Sequence, residues 1–270
     1  MANAHGEFIW YELMTPDPDG AKPFYDAVVG WNIGSEPALM PGGEVSPTDY
    51  RMIGRADGGF AGGVLKLTPD MLGQGARPGW YGYIGVDDVD AAVGAIVGRG
   101  GAVLMPPVTL EGVGRMAMVA DPQGIPFYIM RGASDERSDV FSCDAIGHVG
   151  WNELMTGDLD AALHFYGQLF GHIVHDSMDM GELGPYCFLD HHGIGIGAAM
   201  KAGKDSPHIW QFYFRVDSIT RAVAEIEKGG GKVLMGPHEV PGGDWIIIGI
   251  DPQGASFALV GAKGSAARAG

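Results

Sequence analysis

Trp10-Tyr11-Glu12-Leu13-Met14-Thr15 returns 141 residues later as Trp151-Asn152-Glu153-Leu154-Met155-Thr156. Asp17, Phe24, Tyr25 and Gly30 recur at the same spacing as Asp158, Phe165, Tyr166 and Gly171. Further on the spacing falls to 130: Val103-Leu104-Met105 matches Val233-Leu234-Met235, and Asp121-Pro122-Gln123-Gly124 matches Asp251-Pro252-Gln253-Gly254. A repeat of this length governs the whole fold, so it is read before any local feature.

Each half divides again. Thr15-Pro16-Asp17-Pro18-Asp19-Gly20-Ala21, Val86-Asp87-Asp88-Val89-Asp90-Ala91-Ala92, Thr156-Gly157-Asp158-Leu159-Asp160-Ala161-Ala162 and Val216-Asp217-Ser218-Ile219-Thr220-Arg221-Ala222 all read as a strand end running into a helix start. A short oxygen-bearing side chain there accepts hydrogen bonds from the free N–H groups of the first turn. Phe165, Leu169 and Phe170, and likewise Ala222, Val223 and Ile226, fall at helical spacing. Gly30, Gly100, Gly171 and Gly229 stand where a left-handed residue would end each helix.

Strand-like runs follow: Tyr50–Ile53, Arg115–Val119 and Pro126–Met130 in the first half, and Tyr186–Leu189, Trp245–Ile248 and Phe257–Val260 in the second. Asp-Pro-Gln-Gly prefers a tight reversal between such runs. The unit is strand–helix–strand–strand–strand, four times over. The predicted class is α+β, four βαβββ modules forming two cupped, incomplete barrels in tandem.

The halves differ in length at two places. Tyr50 matches Tyr186 at a spacing of 136, and Trp80 matches Trp210 at 130, so the first half carries extra residues before each. The stretch from Pro37 to Pro47 reads as a loop or lid. The expected divisions are a first domain at 1–132, a linker at 133–144, a second domain at 145–262 and a flexible tail at 263–270.

With 270 residues, 46% of them hydrophobic and 19% charged, the chain can bury two ordinary cores. A net charge of −16 opposes phosphate backbones and anionic lipid, so neither nucleic acid nor membrane is an expected partner. Cys143 and Cys187 fall at non-equivalent positions and suggest no disulfide. The N-terminus lacks the basic and apolar regions of a signal peptide, and no run reaches membrane-span length. The expected location is cytoplasmic.

A strand, Asp-x-Asp-x-Ala, Phe-Tyr and a closing Asp-Pro-x-Gly hairpin resemble the vicinal-oxygen-chelate (glyoxalase/bleomycin-resistance/dioxygenase) superfamily. The resemblance runs over residues 7–131 and 147–261. It implies paired modules forming a cup that in enzymes holds a divalent metal. The ligand positions it implies fall here on Trp10 and Trp151, on Tyr81 and Gln211, on Tyr128 and Ala258, and near residues 64–67 and Met200. Of these only Gln211 offers a ligand, and a lone amide oxygen does not hold such an ion. The expectation is therefore no metal and no cofactor.

Strand alternation turns Trp10 and Glu12 to one face and Tyr11 and Leu13 to the other. By the same argument Tyr81, Tyr83 and Tyr128 join Trp10 and Glu12, while Gln211 and Tyr213 join Trp151 and Glu153. Arg115, with Trp245 at its place in the second half, is counted with these ligand-binding candidates. Aromatic walls around one carboxylate suit a small, partly apolar organic ligand. Glu12 and Glu153 are the catalytic candidates, as general bases, or else they brace the cup through an Arg or a Tyr hydroxyl. Arg115 either meets an anionic substrate or neutralises Glu12.

His148, His164, His172, His175, His191 and His192 read as solvent-exposed or locally bonded. Gly193-Ile194-Gly195-Ile196-Gly197 precedes no helix and so is no dinucleotide loop; it reads as a strand needing close backbone approach. The leading reading is a small-molecule-binding protein. The alternatives are a lyase, isomerase or dioxygenase-type enzyme using Glu12, Glu153 or a displaced metal site, and a purely structural module. The expected assembly is a monomer with pseudo-dimeric halves, or a homodimer.

Overall fold

A computed structural model describes residues 3–39, 42–43, 46, 48–204 and 206–265. The first module holds β1 (Phe8–Thr15), α1 (Pro18–Val28), β2 (Asn32–Ile33), β3 (Tyr50–Gly54) and β4 (Phe60–Lys66). A short helix, α2 (Pro69–Gly73), occupies the longer crossover of the first half. The second module holds β5 (Gly79–Gly85), α3 (Val89–Gly98), β6 (Ala102–Leu110), β7 (Gly114–Ala120) and β8 (Pro126–Gly132). The third holds β9 (Val149–Thr156), α4 (Leu159–Phe170), β10 (Ile173–Asp179), β11 (Pro185–His191) and β12 (Ile194–Lys201). The fourth holds β13 (Ile209–Val216), α5 (Ile219–Lys228), β14 (Lys232–Glu239), β15 (Trp245–Ile250) and β16 (Ser256–Gly261).

The strands make two open eight-stranded sheets, ordered β2-β3-β4-β1-β5-β8-β7-β6 and β10-β11-β12-β9-β13-β16-β15-β14. The architecture is α+β, with tandem modules as the repeat predicts. Asp17, Asp88, Asp158 and Ser218 cap the four module helices by accepting from the N–H of Gly20, Ala91, Ala161 and Arg221. Gly30, Gly100 and Gly171 take positive φ as expected. In the fourth module the role moves one residue: Gly229 stays right-handed and Gly230 turns at φ 85°.

Compactness follows a different division from the sheets. One compact unit combines the second and third modules (within 1–10, 81–138 and 151–211), and the other combines the first and fourth (within 11–80, 139–150 and 212–270). In the latter, α1 sets Phe24 and Tyr25 against Phe257 of β16, with ring centroids 5.6 and 5.7 Å apart. Gly229 and Gly231 leave room for the Phe24 ring, which a Cβ at either would approach to 2.8 Å. In the other unit Phe127 of β8 packs on Tyr166 and Phe170 of α4. Each such ring, taken out of water, contributes about 1.5–3 kcal/mol.

A buried hydrogen-bonded chain anchors each unit. Trp80 Nε1 donates to the Tyr25 hydroxyl (3.0 Å), which donates to Asp251 Oδ2 (3.0 Å). Trp210 Nε1 donates to the Tyr166 hydroxyl (3.0 Å), which donates to Asp121 Oδ2 (3.3 Å). The other carboxylate oxygen of each Asp accepts two turn amides, from Gln123 and Ile125 or from Gln253 and Ala255. Phe-Tyr, the Trp of β5 or β13 and Asp-Pro-Gln-Gly thus recur together because they meet. The Asp is more than a turn former: it is the buried acceptor for a tyrosine of the other half.

The sequence reading of the histidines needs correction. His172 and His191 are buried, and their Nε2 atoms pair with the distant carbonyls of Gly6 (2.8 Å) and His5 (3.0 Å). Because a carbonyl only accepts, His172 donates through Nε2, which leaves Nδ1 bare and without a partner. Protonation would add a buried N–H with nothing to receive it, and burial holds the His172 pKa at about 4. Its unfolded value is about 6.5, so the unfolded chain binds more protons between the two. Stability should fall as pH drops from about 6.5 toward 4, by at most about 3 kcal/mol from His172. Burial lowers His191 in the same sense. Urea denaturation from pH 7.5 to 4.5 checks this: His172→Gln should flatten the acid limb, and parallel limbs would refute the assignment.

His148 is buried and bonds locally, to Ile146 O. His164, His175 and His192 are exposed. Much of the Pro37–Pro47 loop lies outside the described residues, as does the tail beyond Ser265. The described start of that tail is held: Lys263 O accepts from Thr220, and Lys263 Nζ lies 4.2 Å over the Trp245 ring. Among the described residues no helix is long and apolar enough to cross a membrane.

Candidate functional site

The strands present one face to the helices and turn the other away from them. On β1 the Tyr11 ring meets Phe212 at 5.0 Å in the core, so Trp10 and Glu12 take the opposite face. Glu12 is 2% exposed, and its Cα is registered with Gly63 on β4. On β9 the equivalent Glu153 is 7% exposed and registered with Ala198 on β12. Each half therefore buries one carboxylate at the same register, on the face away from its helices.

In the third module that carboxylate has a defined setting. Trp151 Nε1 donates to the Tyr186 hydroxyl (2.9 Å), which in turn donates to Glu153 Oε2 (2.8 Å). Phe188 meets Tyr186 edge-on at 5.4 Å and Trp151 at 6.2 Å. Burial, reinforced by the Glu153 charge, pushes the Tyr186 hydroxyl far above its ordinary range, so it stays a donor. The arrangement is a carboxylate walled by rings that accepts a phenolic O–H.

The second module fills its corresponding face. Tyr83 and Tyr128 stack at 4.2 Å and 9°, and each is 4% exposed. Met118 stands across from Tyr128 and Met116 across from Met130. On β13, Trp210, Phe212 and Phe214 turn to the cores, which sends Gln211 and Tyr213 to the opposite face. Tyr81 shares the face of Tyr83.

Arg115 and Trp245 do not join these residues. Opposed residues of an antiparallel pair share a face, and Arg115 alternates with Ala117 and Val119, which oppose Ile129 and Phe127. Phe127 faces α4, so Arg115 is on the helix side, where it pairs with Asp90 of α3 at 2.7 Å and with Thr109. Neither Glu12 nor a ligand on the other face is its partner. Trp245 alternates with Ile247 and Gly249, and Gly249 opposes Phe257 of the helix-side core. A register error of one residue turns every side chain over. On the face away from the helices these strands carry Met116 and Met118 in one half and Ile246 and Ile248 in the other.

Tyr186 is the functional candidate that sequence reasoning missed. The signal was present, since Tyr50 and Tyr186 recur in register, but that match served only to measure loop lengths. The implied metal also meets a poor donor set. Its positions carry indole, phenol, amide and methyl groups, and among the described residues no three His, Cys, Asp or Glu side chains gather. The residues present do not fit a divalent centre of that kind.

The family model of the Glyoxalase/Bleomycin resistance protein/Dioxygenase superfamily matches residues 7–129 and 145–259. The chain belongs to this superfamily. "Putative glyoxylase CFP32" of Mycobacterium tuberculosis is 31% identical over 252 residues, covering 93% of each chain. "Anthracycline biosynthesis protein DnrV" of Streptomyces peucetius is 30% identical over 266 residues, covering 95% of this chain and 94% of its own. Among solved structures, the Mn(II)-bound glyoxalase of Novosphingobium aromaticivorans superposes with a TM-score of 0.64 at 17% identity, over 96% of this chain and 83% of that one. The 2,2',3-trihydroxybiphenyl 1,2-dioxygenase of Sphingomonas wittichii gives 0.62 at 15%, over 96% and 91%. Both structures share the superfamily fold with this member.

Proposed function

We propose that this superfamily member binds a small, partly aromatic organic ligand through the carboxylates Glu12 and Glu153. The observation that carries this reading is a buried carboxylate at the same register in both halves, on the face away from the helices. A carboxylate buried among rings keeps its charge through hydrogen bonds, as Glu153 does with the Tyr186 hydroxyl, and its remaining lone pairs can accept a further donor from a ligand. Trp10, Tyr81, Tyr83, Tyr128, Gln211 and Tyr213 are the further contact candidates, each on the face of its own strand away from the helices. The relative named for anthracycline biosynthesis makes polycyclic aromatic probes a reasonable first choice.

The test titrates the protein with catechol and 1,8-dihydroxyanthraquinone and follows tryptophan fluorescence. The double variant Glu12→Gln/Glu153→Gln should weaken binding at least tenfold, or about 1.4 kcal/mol. Equal affinities in the wild type and the double variant would end the reading. The phenol–carboxylate pair Tyr186–Glu153 supports a second reading, in which a carboxylate moves a proton of the bound ligand, as in a lyase or isomerase. Loss of turnover in the same double variant, with binding kept, would favour it.

A further inference from the structure

The chain enters each half through the same turn. Gly6 and Gly147 are equivalent, and both take positive φ, 96° and 82°. Gly6 N–H donates to Gly85 O (2.8 Å), and Gly85 N–H donates to Glu7 O (2.7 Å). In the second copy Gly147 N–H donates to Arg215 O (2.8 Å), and Arg215 N–H donates to His148 O (2.9 Å). Each glycine carbonyl then accepts from a ring: His172 Nε2 for Gly6 (2.8 Å) and Trp31 Nε1 for Gly147 (2.7 Å). His172 and Trp31 are themselves equivalent, following Gly171 and Gly30. One clasp is built twice, once with a ring that titrates and once with a ring that does not.

The histidine clasp extends beyond that bond. His191 Nε2 donates to His5 O (3.0 Å), and His5 Nε2 donates to Leu169 O (2.8 Å) while its Nδ1 accepts from Asp87 N–H (3.3 Å). Phe8 and Tyr166 stack on His172 at 5.9 and 6.3 Å, and His191 meets it edge-on at 5.5 Å. The titratable and charged groups around the two buried rings are His5, Glu7, Asp87, Tyr166, Asp190 and His192. Glu7 is engaged by Arg137, Asp190 by Gly193 N–H, and Asp87 lies 3.7 Å from His5. In the other copy Arg55 takes the place of His191, and Asp57 and Asp139 meet its charge. His148 there lies 3.7 Å from Asp57, so a proton on it finds a carboxylate.

We propose that residues 3–7 form an acid-released strap: protons on His172 and His191 free it from the elements it lies on, while its counterpart at 144–148 stays closed. This stands apart from the ligand-binding reading. A protonated His172 has two N–H groups and one carbonyl to receive them, so its Nδ1–H gains a partner when the strap lifts and water enters. Two neighbouring imidazolium rings also repel each other. Burial holds His172 at about 4, against about 6.5 for a free ring, and lowers His191 in the same sense. An opening that exposes His172 should therefore become about 50-fold more frequent between pH 7 and pH 4.5.

Amide hydrogen exchange followed by NMR tests this within one molecule, with each rate corrected for the intrinsic pH dependence of exchange. From pH 7 to pH 4.5, protection of the Gly6 and Gly85 amides should fall at least tenfold more than that of Gly147 and Arg215. In the double variant His172→Gln/His191→Gln, whose amides still donate but do not titrate, that excess should vanish. Equal losses in the two pairs would mean that acid loosens the whole protein, and unchanged protection of Gly6 and Gly85 would mean that the rings hold the strap whatever their charge. Either result, or an excess that persists in the double variant, overturns the proposal. The wild-type comparison needs no substitution, so it decides even if the variant fails to fold.

Discussion

Gly197→Ala is expected to abolish the folded state, whereas Gly195→Ala, two residues earlier on β12, is expected to be tolerated. A Cβ at Gly197 would overlap the backbone carbonyl oxygen of Asn152 and come within 2.8 Å of its carbon. Gly197 and Asn152 are register partners in the parallel β12–β9 pair, so neither can retreat without opening the sheet. Overpacking against side chains costs about 1–3 kcal/mol because rotamers give way. Here the obstacle is backbone, and the ladder next to Glu153 would break as well, so the loss should exceed about 4 kcal/mol. Gly62 meets Tyr11 O in the same manner in the first half. A Cβ at Gly195 finds nothing within 4 Å, which predicts a change within about 0.5 kcal/mol. Soluble yield and urea midpoints of the two variants settle it; a Gly197→Ala protein melting with the wild type would refute the close approach.

Asp251→Ala should cost about 3–5 kcal/mol by urea denaturation at pH 7. Its carboxylate receives the Tyr25 hydroxyl and two turn amides, and alanine would leave the buried Tyr25 hydroxyl and Ala255 amide, with the half-buried Gln253 amide, without an acceptor. Asp251→Asn keeps the amide acceptor but sets an N–H₂ against a hydroxyl that already receives Trp80 Nε1, so about 1 kcal/mol is expected. The pH dependence has a definite sign. Burial raises the Asp251 pKa, so the folded protein binds the proton more readily than the unfolded chain. The wild type thus loses stability from this residue as pH rises from about 4 through the folded value. Asparagine does not ionise, so the gap between Asp251→Asn and wild type should be wider at pH 4 than at pH 7. Equal stability of the alanine and asparagine variants would show that hydrogen-bond capacity is not what the site supplies.

The module order was legible because Asp17, Asp88, Asp158 and Ser218 mark helix starts by local chemistry alone. The face of Glu12 was legible because Tyr11 and Leu13 alternate with it, and that of Glu153 followed from the repeat, since its neighbour Asn152 is polar. Arg115 was misplaced because its strand, Arg-Met-Ala-Met-Val, is apolar on both faces and gives no contrast from which to read a register. The burial of His172 was illegible for another reason: its partner, Gly6, is a backbone carbonyl 166 residues away and leaves no mark on the sequence.

The two Trp–Tyr–Asp chains carry a consequence for how this protein can change over generations. Tyr25 finds its carboxylate 226 residues ahead, and Tyr166 finds its own 45 residues behind. The molecule resembles a homodimer whose subunits were spliced end to end, each lending its partner the anion that the partner's core requires. A change to either tyrosine or its aspartate in one half would leave a buried group of the other half unpaired, so the cores are constrained together. Two copies in one chain are also exempt from the symmetry that identical subunits impose, so each can change alone wherever its core partners are kept.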